Sequence, residues 1–495
     1  MQIWKLQATL KSYLFMKKLF KIILVITALL CATTMQAQQF SALSNGILLR
    51  FNVTNSIERT VEVTYYSLGS YTTGDIVIAT SVVDLTTWQI WTVTAIGDSA
   101  FRDYSNITSI EIPNSVTSIG AGAFRNCTSL KNVILPNNIT SIGNNVFENC
   151  TSLTSIEIPN TVAFIGNNAF MNCTSLTNVV IPNGIISIGY AAFVYCTSLT
   201  SVEIPNSVIF IEDAAFSGCT NLTDVVLSSN ITAIGNRTFE DCTNLTNIVL
   251  PNNLISIGNS AFENCTSLTN LIFPNTVAII GYRTFRYCTS LTDITIPNSA
   301  TMIEADAFDY SGIKKLKFEC GEMPLTIFDA NTYYSTDPFS DCPIETIYVG
   351  RDIYGWKYGY DSNINALKSI TFEECVTNIE AETYQNCSTL EEINFMSITP
   401  PQMTENPFMA LDVNTCVVNV PCGSKPAYEA VLIWENYNIV EVGEECPPAS
   451  LPNGVEVNKS PVAFFNIMGV KLNAEPASGV YIVQYDNGTV EKRVR

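Results

Sequence analysis

"NCTSLTSIEIPNTVAFIGNNAF", residues 149–170, opens on an Asn-Cys pair and closes on Ala-Phe, and at Cys173 nearly the same text begins again. Aligned on the phenylalanine, it recurs at Phe101, Phe124, Phe147, Phe170, Phe193, Phe216, Phe239, Phe262, Phe285 and Phe308, ten copies at a constant 23-residue step. The cysteines keep that step from Cys127 through Cys150, Cys173, Cys196, Cys219, Cys242 and Cys265 to Cys288, with Tyr104 in this place in the first copy and Ser311 in the last. A fixed period of this length is the mark of a stacked solenoid.

The copy "CTSLKNVILPNNITSIGNNVFENC", residues 127–150, shows what one coil does. Val133 and Leu135 alternate with Asn132 and Ile134, the period of a short strand with one buried side. Pro136 ends its ladder because proline has no N–H. Ile139 and Ile142 form a second short apolar pair closed by Gly143, and Val146 with Phe147 makes a turn before Cys150. One coil cannot bury its own apolar stripe. Stacked at roughly 4.8 Å per strand, ten coils give a rod about 50 Å long with Leu, Ile, Phe and Cys in aligned rows. The expected fold is mostly β, a solenoid of 23-residue coils.

The cysteines lie one coil apart along a line, whereas a metal site needs ligands converging on a point. Neighbouring coils bring them within disulfide range, but in-register stacking points their Cβ atoms the same way. The row therefore reads as buried thiols, with disulfides expected among Cys320, Cys342, Cys375, Cys387, Cys416, Cys422 and Cys446.

The unit resembles the BspA-like leucine-rich repeat of secreted and surface proteins. That resemblance implies a curved β-solenoid, roles in adhesion or protein binding, and no catalytic residues; the unit lacks the Asn ladder of the commoner leucine-rich repeat. On this reading residues 38–75 form an N-terminal β cap, 76–312 the regular repeats, 313–444 irregular and closing repeats, and 445–454 a linker rich in Pro, Gly and Ser. Residues 455–495, with a turn at Met468-Gly469, the strand "SGVYIVQY" and a basic end, resemble a type IX secretion sorting domain. That tail would engage the secretion machinery; otherwise it is a last hairpin packed on the array.

Composition narrows the function. The chain has 495 residues, of which 47% are apolar and 14% charged, with 25 Lys and Arg against 45 Asp and Glu, a net −20. Such a balance argues against nucleic acid, which needs clustered cations. Histidine is absent, which removes Ser-His-Asp triads, Cys-His pairs and His-ligated metals. Residues 1–37 hold five of the basic side chains and no acid, so cleaving them would take the net charge to −25. With a basic stretch around Lys17, Lys18 and Lys21 and an apolar run from Ile22 to Leu30, they read as a signal peptide cut after Ala37. The run is too short to span a bilayer comfortably, and Leu30 before Cys31 is too large for a lipobox. No transmembrane span is expected elsewhere. The protein is expected outside the cell or attached to its outer surface.

Two surfaces stand out. Outward strand positions form a column through Glu111, Ile134, Glu157, Val180, Glu203, Val226, Val249, Ile272, Thr295 and Lys317, acidic at one end, apolar in the middle and basic near Lys314, Lys315 and Lys317. An apolar stripe with a polar border suits a protein or host-surface ligand, while β-branched residues also simply suit a sheet. The second is the cluster Tyr354, Trp356, Tyr358 and Tyr360. Its rings could stack on sugars, giving a carbohydrate-binding alternative, or could cover the irregular unit. Regular acids such as Glu157 and Glu203 lie two coils apart on an open face, too exposed for paired-carboxylate hydrolysis. No enzyme activity, cofactor or metal is expected.

Overall fold

The computed structural model describes residues 39–65, 73–327, 337–356, 366–381, 383–385, 387–403, 405–409, 411–443, 461–466, 471–472, 480–485 and 490–494. The leader 1–37, the linker 445–454, Cys446, Tyr358, Tyr360 and the turn at Met468-Gly469 lie outside them. The chain divides into two compact units, Met1–Val440 and Glu441–Arg495.

The first unit is the β-solenoid that the repeat period demands. In the opening stretch, Ser155–Glu157 is the wider strand and Phe164–Ile165 the narrower one. Each pairs in parallel with its equivalent in the next coil: Ile156 with Val179, and Ile165 with Ile188. Alternation does the sorting, because successive side chains in a strand point to opposite faces. Leu153, Ile156, Ile158, Val162, Ile165, Ala169, Phe170 and Cys173 are all buried, while Ser155, Glu157 and Phe164 stay outside. Burying each large aliphatic or aromatic side chain stabilises by about 1.5–3 kcal/mol. That gain is realised only when the next coil covers it.

A third ladder runs through the turns, although no strand is formed there. The amides of Phe124, Phe147 and Phe170 donate to the carbonyls of Val146, Ala169 and Ala192 in the following coil at 2.8–2.9 Å. Inside it the phenylalanines stack face to face from Phe101 to Phe308, with ring centroids 5.1–5.8 Å apart and planes within 16°. Each cysteine from Cys127 to Cys288 is a buried free thiol. Its Sγ donates to the carbonyl of the phenylalanine 26 residues earlier, as in Cys173 to Phe147 at 3.2 Å. Burial pushes these thiols up, Cys127 to about 12, so they stay protonated, act as small hydrophobes and are poor nucleophiles.

The same turn carries a short polar file. Asn126, Asn149 and Asn172 adopt positive φ, a region asparagine enters more readily than most residues. Their side chains form an amide ladder: Nδ2 of Asn149 donates to Oδ1 of Asn126 at 2.7 Å, and Asn172 to Asn149 at 2.8 Å. This asparagine-to-asparagine file is confined to the first copies, since Tyr195 and Gly218 follow at the same place. The Gly column has a different cause. A Cβ on Gly189 would lie 2.6 Å from Oδ1 of Asn167 and 2.9 Å from its amide nitrogen.

Ahead of the regular coils, Gln39–Ser44, Ile47–Asn55 and Thr60–Thr64 form an antiparallel run. Thr60–Thr64 then pairs in parallel with Gln89–Ile96, which pairs in parallel with the first narrow strand, Ser118–Ile119. Past Phe308 the spacing changes but the stack does not. Phe339 lies 5.1 Å from Phe308, and Trp356, Tyr384, Phe408 and Trp434 continue the aromatic file. Among the late cysteines, Cys320 and Cys375 form a disulfide and Cys422 is disulfide-bonded too. Cys342, Cys387 and Cys416 are buried free thiols.

In the second unit, Lys471–Leu472, Pro461–Asn466, Val480–Tyr485 and Val490–Val494 form an antiparallel sheet in that order. Phe464 packs against buried Tyr481 and Val483. Among the described residues no helix is long and apolar enough to cross a membrane.

Candidate binding surface

The wide strands place two residues per coil on the outer face, and parallel register lines up the second of them in one column. Glu111 pairs with Ile134, Glu157 with Val180, and Glu203 with Val226, which pairs in turn with Val249. All stand outside: Ile134 is 59% exposed, Val180 65%, Val226 58%, Val249 80% and Ile272 84%. Acid alternates with aliphatic over the first five coils, and three consecutive aliphatics follow. Beside this column run Asn178, Ser201, Asp224, Asn247 and Asn270, also exposed, so the apolar stripe has the polar border that the alternation implies. The aliphatics gain nothing from water there, which is why a contiguous exposed run is informative where scattered ones are not.

Glu157, Val180 and Glu203 come together with Asn178, Ser201 and Pro182 around an open hollow of about 580 Å³. The basic end is partly neutralised by acids from later coils. Lys317 lies 3.3 Å from Glu373, and Lys314 3.8 Å from Glu345.

Of the aromatic cluster, Tyr358 and Tyr360 lie outside the described residues, and Trp356 takes the covering role rather than the sugar-stacking one. Trp356 is only 1% exposed. Its indole packs between Phe339 and Tyr384, and its Nε1 donates to Asp337 at 3.0 Å. It fills a rung of the aromatic file and offers no face to a sugar, so its assignment as a stacking residue is corrected. Tyr354 is 37% exposed. It borders a hollow of about 810 Å³ with Asn298, Asp352, Thr377 and the Cys320–Cys375 disulfide.

Two features were missed. The narrow strands leave Phe164, Phe210, Ile279 and Met302 exposed, a second apolar set hidden because "SI" fills the same place in other copies. On the turn side, Tyr287 stacks on Tyr310 at 5.1 Å, and the Arg286 guanidinium lies 4.7 Å from the Tyr287 ring. Arg286 also donates to Asp309 at 3.1 Å, and Arg283 to Asp306 at 3.1 Å. The one-period spacing of each pair was the available signal.

Burial pushes Asp309 up to about 6, the Asp306 charge acts in the same direction, and Arg286 opposes both. Since the folded state holds this proton more tightly than an unfolded carboxyl at 3.8, its stabilising effect is complete below that value and is lost as pH rises through the folded one. Asp309→Asn should therefore raise the midpoint of thermal unfolding at about pH 7.5 and leave it unchanged near pH 3.5. Equal shifts at both pH values would contradict this account.

A family model for the BspA type leucine rich repeat region matches residues 94–223, 210–338 and 324–414, well over half of the chain. No curated protein gives a significant match. Among solved structures, a leucine-rich repeat protein from Bacteroides ovatus is similar at 22% identity and a TM-score of 0.52, over 80% of this chain and 98% of that one. A leucine rich cell surface protein from Faecalibacterium prausnitzii aligns at 25% identity and TM-score 0.39, over 79% of this chain and 97% of that one. The pneumococcal vaccine antigen PcpA aligns at 16% identity and TM-score 0.46, over 82% and 99%. Given its constant period, its stacked coils and the family match along most of them, the chain belongs to the BspA-type leucine-rich repeat family.

Proposed function

We propose that this protein is a non-catalytic adhesion or protein-binding solenoid, exported and held or released at the cell surface, whose ligand docks on the outer face of the wide strands. The observation that carries the reading is the run Val226, Val249 and Ile272, 58–84% exposed on adjacent coils with amides and acids alongside. An adhesive face needs a dry centre and a polar rim, and this one is supplied by rigid backbone, so little ordering cost opposes binding. Export is supported by the leader-like residues 1–37 and by the sorting-domain resemblance of residues 455–495. Residues 38–75 would serve as the cap, 76–312 and 313–444 as the array, and 445–454 as the linker to the tail.

The test is binding of the purified chain to immobilised matrix and cell-surface proteins. Val226→Lys combined with Ile272→Lys should weaken capture at least about tenfold while unfolding is unchanged. Undiminished capture would remove the wide-strand face from consideration.

A further inference from the structure

We infer that the wide-strand face also binds a second copy of this chain, in an antiparallel twofold pair whose axis passes between Val249 and Ile272. This rests on the reading of that face as a protein-binding surface and names one partner for it. The argument is self-complementarity. A twofold axis lying along the strand direction reverses the order of coils, so the two most exposed aliphatics, Val249 at 80% and Ile272 at 84%, meet each other. One coil further out, Val226 meets Thr295. Next, Glu203 meets Lys317, and beyond them Val180, 65% exposed, meets Tyr348, 40% exposed. The parallel register that carries the column through Thr295, Lys317 and Tyr348 is continuous.

Other alignments lose this match. A shift of one coil sets Val180 against Lys317 and Glu203 against Thr295. A shift of two sets Glu203 against Ile272, which would desolvate a carboxylate without a partner. A parallel arrangement stacks like on like, Glu203 on Glu203. The favoured alignment has one unfavourable contact in the neighbouring column, Asp224 against Asp293, and Lys315 lies on the strand beside Asp293. Lys317 already lies 3.3 Å from Glu373, so across the pair it would join a network rather than form an isolated bridge. Both partners of the charge pair are surface groups, which suits steering and register more than raw affinity.

Size sets the strength. The eight coils from Val180 to Tyr348 span about 38 Å, and three or four residues along each coil add about 12 Å. A footprint near 460 Å² per copy falls below the roughly 800 Å² of standard interfaces. The expected pair is therefore weak, with a dissociation constant of tens of micromolar, and it becomes adhesive where many copies sit side by side.

Sedimentation equilibrium of the full chain tests this. Dimer formation in that concentration range is expected, with loss of the dimer on Val249→Lys. Glu203→Lys should raise the dissociation constant about tenfold, and adding Lys317→Glu should restore it to within about threefold of the starting value. Thermal unfolding of each variant keeps misfolding apart from lost pairing. A chain monomeric to about 200 µM, or a dimer indifferent to Val249→Lys, overturns the inference. If the chain is monomeric and Val249→Lys still lowers capture of surface proteins, the binding face stands and only the second copy falls. If neither responds, both fall.

Discussion

Phe193→Ala should lower stability by about 3–5 kcal/mol, the largest effect expected of any single truncation in the array. Phe193 is fully buried. Its ring stacks on Phe170 at 5.1 Å and on Phe216 at 5.2 Å, with planes 7° and 3° apart. Truncation removes two stacked contacts, each contributing about 0.5–1.5 kcal/mol beyond area burial, and leaves a cavity between coils that cannot close. The coils are pinned on three sides by the two strand ladders and the turn amides. Phe193 itself donates to Ala215 at 2.8 Å, and that backbone bond holds the spacing open when the ring is gone. Because each coil contacts only its neighbours, the damage should also be local. Chemical unfolding should lose its single sigmoid as the array parts at the missing rung. Phe193→Leu, which refills most of the space, should recover about half of the loss. Val249→Ala on the outer face, by contrast, should stay within about 0.5 kcal/mol. A cost under about 1 kcal/mol for Phe193→Ala would mean that the aromatic file is not what holds the coils in register.

What could be read from the residues divides along the period. From Phe101 to Phe308 every copy constrains the others, so strand positions, buried columns and the inert thiols followed from alternation and spacing alone. The outward column from Glu111 to Ile272 was legible for the same reason, since a side chain's face is fixed once its neighbours' faces are. Legibility failed where repetition stopped. Trp356 has no counterpart one period away, so nothing in the text showed that its ring would lie in line with Phe339 and Tyr384 rather than on the surface. The turn-side asparagine file was hidden differently. "NC" repeats visibly, but only the left-handed backbone at Asn126, Asn149 and Asn172 stacks the amides. That conformation is set by the turn, not by the pattern of apolar residues. The Arg286 and Asp309 pairing was hidden by another cause: charges a full period apart look unrelated until the coils are stacked.

Arg351→Met should cost about 3–5 kcal/mol, even though methionine fills much of the space and the arginine makes no ion pair shorter than 4 Å among the described residues. The reason lies in the coil turns. In two regular copies a threonine hydroxyl reaches back one coil to two carbonyls: Thr161 donates to Asn137 at 3.0 Å and Ile139 at 2.7 Å, and Thr276 to Asn252 at 3.0 Å and Leu254 at 2.7 Å. The longer unit after Phe308 has no such threonine. Arg351 takes its place from far along the chain. Nη1 donates to Asn298 at 3.0 Å and Ala300 at 2.8 Å, the two equivalent carbonyls, while Nη2 donates to Pro297 at 2.7 Å. Burial pulls the guanidinium down to about 10 and Glu319 acts against that shift, so the group remains a cation at neutral pH. Methionine would leave the Asn298 and Ala300 carbonyls without donors, while Pro297 keeps its bond from the Ala300 amide at 3.1 Å, and the desolvation cost of those two is no longer offset. Arg351→Lys, with a single ammonium that reaches at most two of the three, should lose about half as much. Ser299→Ala, which removes one hydroxyl bond to Val277 of 2.7 Å, should lose about 1 kcal/mol. Urea unfolding of the three variants measures the series. The expected order is Met worst, then Lys, then Ser299→Ala, and a neutral Arg351→Met would show that these turn carbonyls find water or new partners once the arginine is gone.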